Sequence, residues 1–535
     1  DNYDNRSTYK AYASTGTLVS GDRGTYSDTS TQSKNTYADA IATLNKSFND
    51  WSVNVNLGVS LSDSRYEMIG YEGGLKLINF FAVHNIDFNK AWKAKQSGWH
   101  DQTRAIFANA EIGWKSMIYL TATGRNDWDS RLAFSDYKSF FYPSIGLSAI
   151  LTSMFNAPDW LTYLKVRGSY TEVGNSYGRF MTTVTYPYDE QTQSWTSTSS
   201  YPNTKLKPER TKSWEVGLDA RILNDISLNL TYYRSNTYNQ TFYADLSLSS
   251  GYSNIPIQSG NIMNEGLEMS LGYNKQWKDF SFNTNYTLTW NKNRVKRLAD
   301  GVYNYATGQP IQMPELSPLT YGHTDARLIL RVGGSMGDVY GQRLLKRDLN
   351  GYILNEEGVG LAMENKETYL GSILPKMNMG WSLGFGYKGV NLGMTFTGRF
   401  GGIVISETQS VLDAAGVSKV SADVRDAGGV QINQSKVSAQ TYYQTIQGTA
   451  AYYTYSATNV RLGELSLSYT LPKKWFDNKV GMTVGLVGKN LWMIYCKAPF
   501  DPELTTSAAS NFYQGFDAYM LPSTRNFGFN VKFQF

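Results

Sequence analysis

The chain has 535 residues and a formal net charge of only +5, with basic residues scattered along it, which excludes the cationic stripe that a nucleic-acid partner needs. Tyr (39), Phe (24), Trp (13) and Gly (48) are abundant and Pro (14) is scarce, a mixture expected where apolar and polar residues alternate. No apolar run reaches the roughly 18 residues that a membrane-crossing helix needs, so only strands could span a bilayer.

Residues 1–35, rich in Ser, Thr, Tyr and Asp, read as a segment of an extracellular loop. Period-two alternation then begins. Trp51, Val53, Val55, Leu57, Val59 and Leu61 share one strand face, and Ser52, Asn54, Asn56, Gly58 and Ser60 share the other. The same alternation and the intervening turns predict hairpins at 36–47/51–61, 102–113/115–124, 139–152/161–173, 211–223/226–235, 263–275/279–291, 376–388/390–400 and 456–470/479–491. Within the last of these, apolar parity shifts at Gly463-Glu464, which predicts a β-bulge. A final strand, 524–535, alternates Phe527, Phe529, Val531, Phe533 and Phe535 with polar residues.

Connections alternate between tight turns and long polar stretches, the longest at 292–375 and 401–455. Short turns at one end and long loops at the other are the habit of outer-membrane barrels, whereas a structureless stretch of about 80 residues counts against a compact soluble domain. Trp51, Trp114, Trp160, Trp277 and Trp475 lie beside short turns, and Trp214, Trp290 and Trp492 lie at long-loop ends, forming two aromatic girdles. The expected fold is therefore all-β: a transmembrane antiparallel β-barrel in which residues 36–535 supply about fifteen strands. An odd number starting from the long-loop side does not close a bacterial barrel, so these residues are expected to be the C-terminal part of a larger polypeptide whose further strands complete the wall.

Motifs run in order through most of the chain: IYLTATGRNDW (118–128), FYPSIGLSAILT (141–152), WLTYLKVRGSYTEVGN (160–175), LKPERTKSWEVGLDARI (206–222), SGNIMNEGLEMSLGY (259–273), TNVRLGELSLSYTLP (458–472), VGKNLW (487–492), APFDPE (498–503) and LPSTRNFGFNVKFQF (521–535). This set resembles the C-terminal half of the SusC/RagA family of TonB-dependent outer-membrane transporters. The resemblance implies a barrel of about twenty-two strands in the bacterial outer membrane. It also implies a plug domain inside the barrel, TonB as the energy source and a SusD-like lipoprotein lid. The implied function is active import of a bulky nutrient, an oligosaccharide or an oligopeptide. A siderophore-type receptor and a passive porin or structural barrel are the alternatives. Outer-membrane lipid, including lipopolysaccharide, surrounds such a wall, and the terminal Phe535 resembles the signal read by barrel-assembly machinery.

No constellation marks an enzyme, and no cofactor or metal is expected. Cys496 is the single cysteine, and His84, His100 and His323 lie too far apart to gather zinc ligands. Asp348 to Gly351 resembles part of a calcium loop but lacks the spaced acidic ligands, and an Asn-Gly turn is expected. Lys165, Arg167, Glu215, Asp219, Arg221, Arg399 and Arg461 share parity with polar faces and are expected to face the lumen and plug. Substrate contacts are expected from loop aromatics, whose flat apolar faces suit sugar rings and peptides: Trp92, Trp99, Trp195, Tyr201, Tyr243, Tyr252, Tyr303 and Tyr321.

Overall fold

The computed structural model describes residues 1–14, 23–89, 92–189, 194–196, 198–258, 260–303, 308–313, 315–356, 360–477, 479–504, 506 and 511–535. Sixteen strands pair in chain order into one antiparallel sheet. They are β1 (Asn2–Ala11), β2 (Thr25–Phe48), β3 (Trp51–Gly74), β4 (Trp92–Trp114), β5 (Ile118–Asp129), β6 (Phe140–Ile150), β7 (Leu161–Asn175) and β8 (Glu209–Ile222). The second half comprises β9 (Ile226–Tyr238), β10 (Asn261–Trp277), β11 (Phe280–Arg297), β12 (Met377–Tyr387), β13 (Val390–Phe400), β14 (Asn459–Leu471), β15 (Gly481–Cys496) and β16 (Asn526–Gln534).

Register carries the alternation across the sheet. Leu57 of β3 stands opposite Ala42 of β2 and Ala108 of β4, and Val59 stands opposite Ala40 and Ile106, so apolar residues form cross-strand rows. At the far edge Leu486 opposes Phe529 and Met482 opposes Phe533 in the same way. The Trp51 and Trp114 rings meet 6.5 Å apart at the short-turn end of this apolar band. Trp214 lies 5.4 Å from Tyr232 at the other end. No helix among the described residues is long and apolar enough to cross a membrane.

The predicted bulge is present: Thr395 opposes Glu464 and Phe396 opposes Leu462, which leaves Gly463 extra. The tight turns use positive φ. Lys388 and Gly389 sit at 45° and 89°, a twist that suits two-residue hairpins. A Cβ on Gly389 would lie 2.8 Å from the Thr470 carbonyl oxygen. Gly389→Val is therefore expected to cost about 1–2 kcal/mol, read as a lowered urea midpoint of the folded barrel; an unchanged midpoint would contradict the turn assignment.

Within residues 1–35 the described residues are mostly strand, which the sequence reading had not anticipated: Asn2 to Ala11 form β1 in an unbroken ladder against Lys34 to Thr25 of β2. Beyond the apolar band neither strand face has to be greasy, so a Ser/Thr/Tyr-rich strand there reads like a loop. Among the described residues the wall sheet has sixteen strands, in keeping with the expected count of about fifteen. β2 and β3 each run 24 residues, about twice what a tilted strand needs to cross a bilayer, and their far halves stand clear of the band.

The hydrophobic cores lie in the long connections. One packs Tyr321, Leu328, Val339, Ile373, Ile405 and Phe516, drawn from three separate connections. Others centre on Ile255, Ile257 and Val295, and on Leu361, Tyr443 and Tyr453. Strands Glu315–Thr320, Arg327–Arg331, Asp338–Leu345 and Met363–Ser372 form a four-stranded sheet here. Helices Glu407–Ala414, Lys419–Asp426 and Ala439–Ile446 each begin on a serine cap: Ser406, Ser418 and Ser438 accept from Gln409, Ser421 and Thr441 N–H groups. Asp348 Oδ1 accepts from the Asn350 and Tyr352 N–H groups, both at 2.9 Å, closing the turn at Gly351. The loops thus form a folded layer over one end of the wall.

Candidate functional site

Five of the seven expected polar-face charges lie together on β7 and β8, on the face opposite the apolar rows. Lys165 stands opposite Asp219, Arg167 opposite Gly217 and Ser169 opposite Glu215. Arg167 Nη2 donates to Thr231 Oγ1 at 2.7 Å, and its Nε lies 3.7 Å from Asp219 Oδ2. Gly217 leaves room for this, since a Cβ there would lie 2.7 Å from Arg167 Nε. Asp219 also accepts from Asn229, and the Arg221 guanidinium lies 5.8 Å from the Tyr163 ring centroid. Lys165, Asp219, Arg221 and Asn229 line a recess of about 470 Å³. These groups are partly paired and solvent-reachable, which gives a wet surface of mixed charge.

Arg399 and Arg461 differ in being covered by residues of the long connections. Both are only 9% exposed. Arg399 Nη2 donates to the Ile373 carbonyl at 2.8 Å beneath the loop layer. Arg461 is clamped by APFDPE: its Nη2 and Nη1 donate to the two Asp501 carboxylate oxygens at 2.8 and 3.0 Å, and Glu503 Oε2 lies 3.2 Å away. Burial pushes the Asp501 carboxyl up, but the Arg461 hydrogen bonds and the Glu503 N–H outweigh it and hold it below the usual carboxylate range. The bulge at Gly463 sets this geometry by reversing parity just below Arg461.

The loop aromatics divide by exposure. Trp195 is 70% exposed, with its ring 5.1 Å from Tyr188, a neighbour that sequence reading missed. Tyr303 and Tyr243 are also exposed. Trp99 stacks on Tyr66 at 5.8 Å and carries the Arg179 guanidinium 3.6 Å from its ring centroid, with Arg179 held by Asp101. Tyr201 and Tyr252 meet edge to face at 5.1 Å, and Tyr201 packs against a loop core. Trp92 begins β4, and its side chain lies outside the described residues. Tyr321 is corrected: it is fully buried, donates its hydroxyl to the Phe512 carbonyl at 2.7 Å and is a core residue. Its position between turn-rich segments gave it the look of a loop tip.

Other motifs acquire structural reasons. In GRNDW, Arg125 Nε donates to Asp127 Oδ1 at 2.7 Å and the Tyr142 hydroxyl donates to Asp127 Oδ2 at 2.8 Å, tying β5 to β6. Asp129 takes Arg131 and Ser176, fastening the top of β7. At the top of β11 a cavity of about 610 Å³ is lined by Asn293, Ser335, Asp338, Tyr369 and Lys376 among others. Burial raises the Asp338 carboxyl and pushes the Tyr369 phenol up to about 12, and the phenol donates to Asp338 Oδ1 at 3.1 Å. The described residues hold no group of three or more His, Cys, Asp or Glu placed to bind a metal.

Residues 1–491 match the family model described as TonB dependent receptor-like, beta-barrel. TonB-dependent receptor P3 of Formosa agariphila is 24% identical over 93% of this chain and 52% of its own length. TonB-dependent receptor SusC of Bacteroides thetaiotaomicron is 25% identical over 44% of the chain and 22% of its own length. The fold aligns with the structure titled as the RagAB peptide importer in the open-open state at a TM-score of 0.76 and 18% identity, covering 99% of this chain and 57% of that one. The chain spans about half the length of the longest-matching curated relatives. The SusC/RagA resemblance read from the motifs is borne out by these relatives, and the apolar rows and aromatic girdles are those of a wall in the outer membrane. The chain belongs to the TonB-dependent receptor-like β-barrel family.

Proposed function

We propose that this chain supplies sixteen wall strands of an active importer for a bulky nutrient, an oligosaccharide or an oligopeptide, energised through TonB and served by a SusD-like surface lipoprotein. The observation that carries this reading is the loop layer. Three hydrophobic cores and a four-stranded sheet make the mouth of the wall a built vestibule that bears exposed rings at Trp195, Tyr243 and Tyr303. A passive pore gains nothing from such a layer, whereas a receptor that must hold cargo and meet a lid does. The Formosa relatives are named TonB-dependent receptors and the structural neighbour is titled a peptide importer, which supports the same reading.

In this mechanism Lys165, Arg167, Glu215, Asp219 and Arg221 line the lumen and contact a plug domain, and the loop aromatics contact cargo or lid. Cargo is trapped at the mouth and released inward when the plug is remodelled. Binding and gating are the whole chemistry, with no covalent step and no catalytic residue. β16, with Phe527 and Phe529 each 79% exposed, serves as the signal for barrel-assembly machinery. Cells carrying the receptor are expected to lose uptake of labelled oligosaccharide or oligopeptide when TonB is deleted, and the receptor is expected to copurify with a SusD-like lipoprotein. Uptake that continues unchanged without TonB would sink the proposal.

A further inference from the structure

The lipid-facing side of β2 to β6 carries a feature that nutrient import does not use. Ala42, Leu57, Ala108 and Gly124 lie side by side across four strands, and the next row is Ala40, Val59, Ile106, Asn126 and Phe141. Alanine and glycine make this part of the wall shallow, and Trp128 and Phe141 line it, with the Phe141 ring tip 3.1 Å from where a Gly124 Cβ would be. The result is an apolar groove of about 900 Å³ that merges with a second of about 830 Å³ toward the loop end of the wall.

Composition changes sharply at that end of the groove. The row above holds Ala38, Leu61, Arg104 and Trp128, then come Thr36, Asp63 and Gln102, then Lys34, Arg65 and His100. All of these share parity with Leu57, so they face the same side. Three full cations and a histidine therefore cap the groove, and Asp63 is the single carboxylate in the three rows. Asp63 engages His100 Nε2 at 2.6 Å and Arg65 Nε at 3.3 Å. Arg104 Nε is oriented by Gln102 Oε1 at 2.9 Å. The Arg65 and His100 side chains remain 57% and 48% exposed.

We propose that this groove and its cationic cap bind one phosphorylated, multiply acylated glycolipid of the lipid A type from the outer leaflet, with acyl chains in the groove and phosphate on Arg104, Arg65 and Lys34. The choice of occupant rests on charge and depth. A transmembrane protein partner would place apolar side chains against the groove but gives no reason for cations above it. A zwitterionic phospholipid would meet net positive charge without the anion to match it. Guanidinium groups offer paired donors to phosphate oxygens, and the apolar-to-polar boundary is where such a headgroup sits. The inference rests on the membrane placement of the wall and is independent of cargo or TonB.

The test is native mass spectrometry of the purified receptor in a non-ionic detergent, titrated with diphosphoryl lipid A and with the same lipid after enzymatic dephosphorylation. One tightly retained lipid A is expected, with the dephosphorylated form at least about tenfold weaker, as fits the loss of charge-assisted contacts. Lys34→Gln/Arg65→Gln/Arg104→Gln is expected to lose the retained lipid, and the single change Arg104→Gln and the groove-filling change Ala108→Phe to weaken it. Lys46→Gln, on the same face but beside the short turn, is expected to behave as wild type. Folding of each variant is checked by heat-modifiable gel mobility, and the two single changes keep the test decisive if the triple variant fails to fold. Equal binding of the two lipids, retention unaffected by Arg104→Gln and Ala108→Phe, or a copurifying protein crosslinked to Trp128 in place of lipid would overturn the proposal.

Discussion

Leu57→Arg is expected to destabilise the folded wall by about 2–4 kcal/mol, because it places a charge at the middle of the apolar band. Leu57 is 56% exposed on that band, flanked by Ala42 and Ala108 across the ladders. Thr43→Arg is the matched comparison. Thr43 is on the neighbouring residue of β2, pairs with Asn56 and shows the opposite face, so its substitution is expected to cost under about 1 kcal/mol. Urea titration of folded receptor in lipid vesicles reads both. Equal costs for the two would mean that the faces are not divided between lipid and water.

The second large effect concerns the clamp between β14 and the APFDPE segment. Arg461→Met leaves Asp501 buried without its cation, and removing one member of a buried pair costs about 3–5 kcal/mol. The loss should fall locally: residues 498–503 are expected to exchange amide hydrogens faster while the β2–β3 hairpin keeps its protection. Arg461→Met/Asp501→Leu should recover much of the loss, since neither charge is then stranded. The pH dependence follows from the depressed carboxyl of Asp501. A carboxyl whose folded pKa lies below its unfolded value of about 3.9 contributes stability that is fully present above that value and lost as pH falls through the folded pKa. The clamp is therefore expected to hold at pH 5 and to release only in stronger acid. Release of residues 498–503 between pH 7 and 5 would contradict the pairing.

Much of the wall was legible because a half-buried strand writes its two faces into every second residue. The hairpin predicted at 376–388/390–400 falls on β12 and β13 almost residue for residue. The bulge was legible from a single parity change between Leu462 and Leu465. β1 was not, because beyond the apolar band the alternation loses its physical cause. The same reason hid the far halves of β2, β3 and β4, which the eye assigns to loops.

The loop layer was the larger omission. Its helices were signalled in part: Ser406 with Gln409 is a capping pair, and Gly416, at φ 72°, terminates the same helix. Its cores were not signalled, because Tyr321, Ile373, Ile405 and Phe516 meet across nearly two hundred residues and no local pattern encodes that meeting. For the same reason Arg461 read as a wall charge. Its partners, Asp501 and Glu503, are forty residues on, and only the fold brings them back. The exposure of a ring such as Trp195, in contrast, needs no long-range partner to be legible, since it lies in a polar connection.

The sheet faces lipid on one side and water on the other. The most direct test is a cysteine scan along β3 from Val53 to Ser60, in a Cys496→Ser background, in receptor assembled in the outer membrane. Each position is spin-labelled, and collisions with oxygen are compared with collisions with a water-soluble nickel chelate. Strict period-two behaviour is expected, with Val53, Val55, Leu57 and Val59 favouring oxygen and Asn54, Asn56, Gly58 and Ser60 favouring the chelate. Uniform accessibility along the strand, or the reverse parity, would contradict it.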